Sequence, residues 1–266
     1  MLIEAEQLAA LTDVVVFDCR FALTDPAAGR IAYCAGHIPG AHYIDLDSDL
    51  SAAAGQHGGR HPLPRPDEFA ATLARHGVGL ATDVVVYDDS RLAFASRLWW
   101  MMRALGYRPP RLLNGGLAAW LAHGGELQTE VPEAEACEPP ALAPYRQQVD
   151  IDGLREAQMA GAVLIDSREA ARYQGLEEPI DPVAGHIPGA INRPWQGVTT
   201  TEGRVQSAAE LRRHWGDALA AEQLVVYCGS GVSACVNLFS LALLGRDDVI
   251  LYSGSWSDWC SHLESH

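Results

Sequence analysis

Apolar residues in this chain gather in short continuous runs instead of alternating with polar ones. Residues 14–17, 83–87, 163–165 and 224–227 each form such a run, rich in valine, with the length and β-branching of strands buried on both faces. Two of them end in a polar triplet, Asp18-Cys19-Arg20 and Asp166-Ser167-Arg168, as a buried strand does where its carboxyl end reaches the surface. Between the strands the apolar spacing turns helical. Helices are predicted over 67–76, over 94–105 with Leu98, Trp99 and Met102 facing inward before Gly106, and over 232–244. A short helix carrying Trp120 follows Leu112-Leu113-Asn114-Gly115-Gly116. Strands that alternate with helices form parallel sheets covered on both faces, so the fold class is α/β.

The pattern occurs twice. Ala35-Gly36-His37-Ile38-Pro39-Gly40-Ala41 returns unchanged as Ala184-Gly185-His186-Ile187-Pro188-Gly189-Ala190, an offset of 184 − 35 = 149. The strand ending at Tyr87 is answered by the one ending at Tyr227, and Leu112 to Leu117 with Trp120 by Leu251-Tyr252-Ser253-Gly254-Ser255-Trp256 with Trp259. The prolines and glutamates between residues 124 and 150 suit a surface linker. The expected organisation is a first domain over 1–124, a linker over 125–149 and a second domain over 150–266, each a mainly parallel sheet flanked by helices. In such sheets ligands lie beyond the carboxyl ends of the strands.

Composition narrows the function. A net charge of −15 with no Lys/Arg-rich run argues against nucleic acid or an anionic membrane as partner. Residues 1–10 carry Glu4 and Glu6 where a signal peptide is basic, and no apolar stretch reaches membrane-spanning length, so a cytoplasmic protein is expected. Six cysteines without CxxC pairs speak against a zinc site or a dense disulfide framework.

One of those cysteines stands apart. In Tyr227-Cys228-Gly229-Ser230-Gly231-Val232-Ser233-Ala234, Cys228 sits where a buried strand passes through glycines into a helix. Such a junction turns main-chain N–H groups inward and adds the positive end of the helix dipole, an environment that stabilises an anion. A Cys228 thiolate would be that anion, held without a basic side chain. The corresponding position of the first half is Asp88, so the nucleophile exists in one half only. His37, His186, Arg20 and Arg168 occur in both halves, which points to turn and strand-end roles instead of chemistry.

These features together resemble the tandem-domain rhodanese-type sulfurtransferases. The likeness rests on the two Gly-His-Ile-Pro-Gly-Ala motifs, the Asp-x-Arg strand ends and the Cys228 to Ala234 loop, and it runs from about residue 14 to 259. The loop is most similar to Cys-Gly-Ser-Gly-Val-Thr-Ala of the 3-mercaptopyruvate sulfurtransferases, with Ser233 keeping the hydroxyl of Thr. Thiosulfate sulfurtransferases usually carry a basic residue where this chain has Gly229. The resemblance implies two rhodanese-like domains and transfer of a sulfane sulfur from 3-mercaptopyruvate, through a Cys228 persulfide, to thioredoxin, glutathione, another small thiol or cyanide. Neither metal nor organic cofactor is implied. It places Gly229, Gly231, Val232 and Ser233 around the donor, Arg172 on the donor's carboxylate, and Ser230 with Asp47 and His61 in a proton relay opposite the cysteine. The family's second arginine falls at Ile180 here.

Three other functions share parts of this pattern. A thiosulfate sulfurtransferase would draw its cations from outside the loop, from Arg91 or Arg193. A cysteine phosphatase of this fold needs an arginine six residues after the nucleophile, where this chain has Ala234. A non-catalytic interaction protein would have no use for an intact Cys228 loop.

Overall fold

The computed structural model describes residues 1–263. The chain divides into two compact units. The first comprises Met1–Ala52, Pro64–Arg146 and Thr201–Val205; the second comprises Ala53–Leu63, Gln147–Thr200 and Gln206–His266.

The first unit is built on strands β1 (Leu2–Ile3), β2 (Val15–Asp18), β3 (Ala41–Tyr43), β4 (Val84–Tyr87) and β5 (Arg111–Leu113). They form one all-parallel sheet in the order β1-β5-β4-β2-β3. Helices α1 (Ala5–Ala9), α2 (Ala28–Ala35), α3 (Pro66–Ala74), α4 (Ala95–Ala104) and α5 (Gly116–Ala122) complete it. Strands β2 and β4 are flanked on both sides, which is why their sequences read as unbroken apolar runs. Residues 126–146, mostly exposed, belong to this unit and are tied to it where the Cys137 N–H donates to the Ala74 carbonyl and the Arg146 N–H to that of Ala104.

The second unit repeats the plan with β6 (Gln148–Val149), β7 (Val163–Asp166), β8 (Ile191–Asn192), β9 (Leu224–Tyr227) and β10 (Ile250–Tyr252), ordered β6-β10-β9-β7-β8 and parallel throughout. Its helices are α6 (Ile151–Met159), α7 (Ala170–Tyr173), α8 (Ala208–Trp215), α9 (Ala234–Leu243) and α10 (Ser255–Ser261). The repeat extends to individual side chains. Arg20 pairs with Asp18 and donates to the Gly36 carbonyl, while Arg168 pairs with Asp166 and donates to that of Gly185. Nδ1 of His37 lies 2.8 Å from the Tyr33 carbonyl and that of His186 lies 2.7 Å from the Tyr173 carbonyl, each imidazole stacked on its tyrosine. These residues hold the Gly-His-Ile-Pro turn against its strand.

His42 on β3 is buried beside the rings of Phe17 and His76. Burial, reinforced by His76 and His37, lowers its pKa from 6.5 to about 4, and burial also lowers that of His76. The unfolded chain therefore binds more protons than the folded one between these values. Stability is fully present above about pH 6.5 and should be lost as pH falls toward 4. Urea midpoints at pH 7, 5 and 4 should drop more steeply for wild type than for His42→Leu, and parallel slopes would exclude His42 as the cause.

Candidate active site

The Cys228 loop begins where β9, the central strand of the second sheet, ends. Cys228 is the next residue, and the chain passes through Gly229 to Ser233 into the ten-residue helix α9. The bend is possible because Gly231 has φ +78° and packs so tightly that an added Cβ would meet the Ser253 carbonyl. A second wall fixes the backbone of Cys228. The Cys228 N–H donates to Ser255 Oγ at 3.1 Å, and the carbonyls of Cys228 and Gly229 accept from the Trp256 and Ser257 N–H groups at 3.0 and 2.9 Å. Ser255, fully buried and at φ +57°, in turn donates its hydroxyl to the Tyr252 carbonyl. The start of α10 thus sets the position of the start of the Cys228 loop. Cys228 itself is buried.

Ser230 Oγ lies 2.8 Å from Nδ1 of His61. His61 comes from the first half of the sequence, yet the stretch Ala53–Leu63 belongs to the compact unit that holds Cys228. The hydroxyl–imidazole pair expected from the sequence is therefore formed within one unit. Asp47 is part of the other unit, in the turn after β3, where its N–H donates to Asp45 Oδ1 and burial and Asp45 raise its carboxyl above the ordinary value.

Arg172, at the end of α7, stands beside the loop. Its Nη1 is 3.5 Å from the point where a Cβ on Gly229 would project, and Nη2 of Arg60 is 3.1 Å from the same point. Both guanidinium groups are carried by acids. Arg172 donates to Glu178 through Nε and Nη2 and to Asp181 Oδ2 at 3.0 Å; Arg60 pairs with Asp181 Oδ1 through Nη1. Burial pushes the Glu178 carboxyl up, but Arg172 and the amides of Asp181 and Ile180 hold it below its ordinary value. For Asp181 burial outweighs Arg60 and Arg172, and its carboxyl lies above.

Of the cations weighed from sequence, Arg193 donates to the Asn192 carbonyl, and Arg91 belongs to the first unit. Arg60, Asp181, Glu178 and Ser255 were missed. A basic residue next to His61 was the one available signal for Arg60; nothing in the sequence pairs residue 255 with 228.

The first unit shows what the same loop does without a thiol. Asp88 follows β4 as Cys228 follows β9, and its carboxylate accepts the N–H groups of Ser90, Leu92, Phe94 and Ala95, each at 2.9 Å. Burial pushes this carboxyl up, against four amides that favour its charge. The inward-facing donors that a strand–loop–helix junction creates are here consumed by a residue of the chain itself.

A Rhodanese-like domain matches residues 2–123 and again 150–262. The chain belongs to the rhodanese-like family. It is 43% identical over 97% of its length to a probable 3-mercaptopyruvate sulfurtransferase of Pseudomonas aeruginosa, covering 94% of that protein. A putative thiosulfate sulfurtransferase, SseB, of Mycobacterium tuberculosis is 38% identical over 98% of this chain and 94% of its own. The crystal structure of SseA from Escherichia coli, described as a 3-mercaptopyruvate sulfotransferase with the rhodanese fold, superposes with a TM-score of 0.81 at 33% identity, covering 96% of this chain and 98% of that one. The two parallel sheets described above are two rhodanese domains.

Among the described residues, the three-membered group of potential metal ligands is His57, Asp258 and His262. The two imidazoles stack face to face at 4.1 Å and 16°. Both Asp258 oxygens accept a hydrogen bond, from the Gly58 N–H and the Tyr252 hydroxyl. This group secures a loop. No helix among the described residues is long and apolar enough to cross a membrane.

Proposed function

We propose that the chain is a cytoplasmic sulfurtransferase that takes sulfur from 3-mercaptopyruvate. The observation that carries this reading is a single nucleophilic cysteine opening a neutral glycine loop, with Arg172 beside the residue that follows it. The Cys228 thiolate attacks the donor's sulfur; the S–S bond forms, the C–S bond breaks, and its electron pair leaves on carbon as pyruvate enolate. The enolate takes a proton and departs as pyruvate, and the persulfide proton balances that gain. Ser230 and His61, already hydrogen bonded, supply the route, with Asp47 the third expected member. In the second step an acceptor, thioredoxin, glutathione, another small thiol or cyanide, attacks the outer sulfur and Cys228 returns as the thiolate. Arg172 holds the donor carboxylate, and Gly229, Gly231, Val232 and Ser233 shape the loop around the transferred sulfur. Six free cysteines suit a reducing compartment.

A thiosulfate reading has one observation in its favour. The guanidinium of Arg60 borders the space into which a side chain at 229 would project, bringing positive charge close to the position where thiosulfate enzymes carry a basic residue. Initial rates with cyanide as acceptor decide between the two. The rate on 3-mercaptopyruvate should exceed that on thiosulfate at least about tenfold, and Arg172→Ala should lower only the former, by about ten- to hundredfold. The reverse order of donors would make this a thiosulfate enzyme.

A further inference from the structure

Position 180, where the family's second donor-binding arginine would stand, is isoleucine, and it lines a cavity of about 200 Å³ together with Arg60, Asp181 and Pro182. Residues 60 and 180 thus border one cavity, and Arg60 also reaches the loop residue Gly229. We propose that Arg60 is the second guanidinium of the donor site and that, with Arg172, it grips the donor's carboxylate. This rests on the reading of 3-mercaptopyruvate as donor.

Arg60 is held for such a task from its backbone outward. Its N–H donates to Ser257 Oγ at 3.1 Å, the preceding Gly58 N–H donates to Asp258 Oδ1 at 2.7 Å, and His57 Nδ1 lies 2.8 Å from Ser261 Oγ. Gly59, at φ +81°, lets the strand of chain lie directly on the Gly254 carbonyl. These contacts fasten the Arg60 segment to α10, whose first turn also fixes Cys228 and Gly229.

The guanidinium is oriented as well. Asp181 offers one oxygen to Arg60 Nη1 and the other to Arg172 Nη2, so a single carboxylate holds both guanidinium groups. Among the described residues Arg60 Nη2 and Arg172 Nη1 make no hydrogen bond, and these two nitrogens are the ones at 3.1 and 3.5 Å from the space above Gly229. Two unfilled charged donors converge next to the nucleophile's neighbour. That is the arrangement a planar carboxylate fills, one oxygen to each arginine. Gly229 keeps the space clear, since any side chain there would press on Arg60.

The test uses the full-length protein with 3-mercaptopyruvate or thiosulfate as donor and cyanide as acceptor. Arg60→Ala should raise KM for 3-mercaptopyruvate about ten- to hundredfold while kcat changes less than about threefold. Arg60→Lys, a cation without the fork, should fall between. Adding Ile180→Arg to Arg60→Ala should recover at least about fivefold of the lost KM. Discharge of a Cys228 persulfide preloaded with polysulfide should proceed at the wild-type rate in all variants. An unchanged KM, a matching loss in discharge, or an equally large loss on thiosulfate overturns the proposal. A wild-type protein that accepts thiosulfate but not 3-mercaptopyruvate overturns the donor assignment, and the carboxylate role with it, before any variant is made.

Discussion

Cys228→Ser should abolish sulfur transfer, lowering the rate on any donor by at least about three orders of magnitude. The hydroxyl fits the site, because Cys228 is held through its main chain: N–H to Ser255, carbonyl to the Trp256 N–H. Folding and loop geometry should survive, and only the reacting atom changes. Serine cannot form the S–S bond on which both half-reactions depend, so the loss is chemical and leaves no slower version of the same route. Intact mass after exposure to 3-mercaptopyruvate separates this from mere inhibition. Wild type should gain one sulfur, about 32 Da, that cyanide removes, and the variant should gain none. Persistent loading of the variant would move the persulfide to another thiol, with the exposed Cys34 and Cys137 the first to examine.

The two units treat the corresponding loop differently. Both sheets deliver a residue from the carboxyl end of their central strand into the loop before a helix, Asp88 in one and Cys228 in the other. In the first unit Asp88 satisfies four main-chain amides permanently. A loop filled by its own carboxylate has no room for a transient anion. The same fold element is thus a structural knot in one copy, and in the other, on the reading proposed above, a reactive site.

Much of this was legible in the chain itself. Parallel strands buried on both faces leave continuous apolar runs, so β2, β4, β7 and β9 stood out, and the duplicated Gly-His-Ile-Pro-Gly-Ala motif disclosed the repeat. Cys228 was legible because glycine loop, strand and helix meet there in consecutive residues. Helix ends shifted by one or two positions: the helix expected over 232–244 is Ala234–Leu243, since Val232 and Ser233 still belong to the loop. What sequence order concealed is contact between distant segments. Residues Ala53–Leu63 read as a loop of the first half but pack with the second unit, and Thr201–Val205 does the converse, with the Val205 N–H donating to Asn114 Oδ1. Arg60 could be placed beside Gly229 only once that loop was placed, its position next to His61 being the one local hint.

Asp18→Ala should be the most damaging substitution in the framework, costing about 3–5 kcal/mol, and Asp166→Ala should cost measurably less. Both carboxylates are fully buried. Asp18 receives Nε and Nη2 of Arg20, its N–H, and the Tyr87 hydroxyl at 2.7 Å; Asp166 receives the same groups of Arg168. Removing either carboxylate strands a guanidinium in a low-dielectric interior, where the penalty is that of an uncompensated charge and exceeds that of a lost hydrogen bond. The two sites differ in what remains. Arg168 keeps a second acid, Glu178, at 3.1 Å from Nη1, and Glu178 is itself held ionised by Arg172. Arg20 keeps the Gly36 carbonyl as its buried acceptor. Urea unfolding of the two variants at pH 7 checks the order. Equal losses, or a larger one for Asp166→Ala, would mean that Glu178 does not share the charge of Arg168, and that the acid network around Arg172 serves the donor site alone.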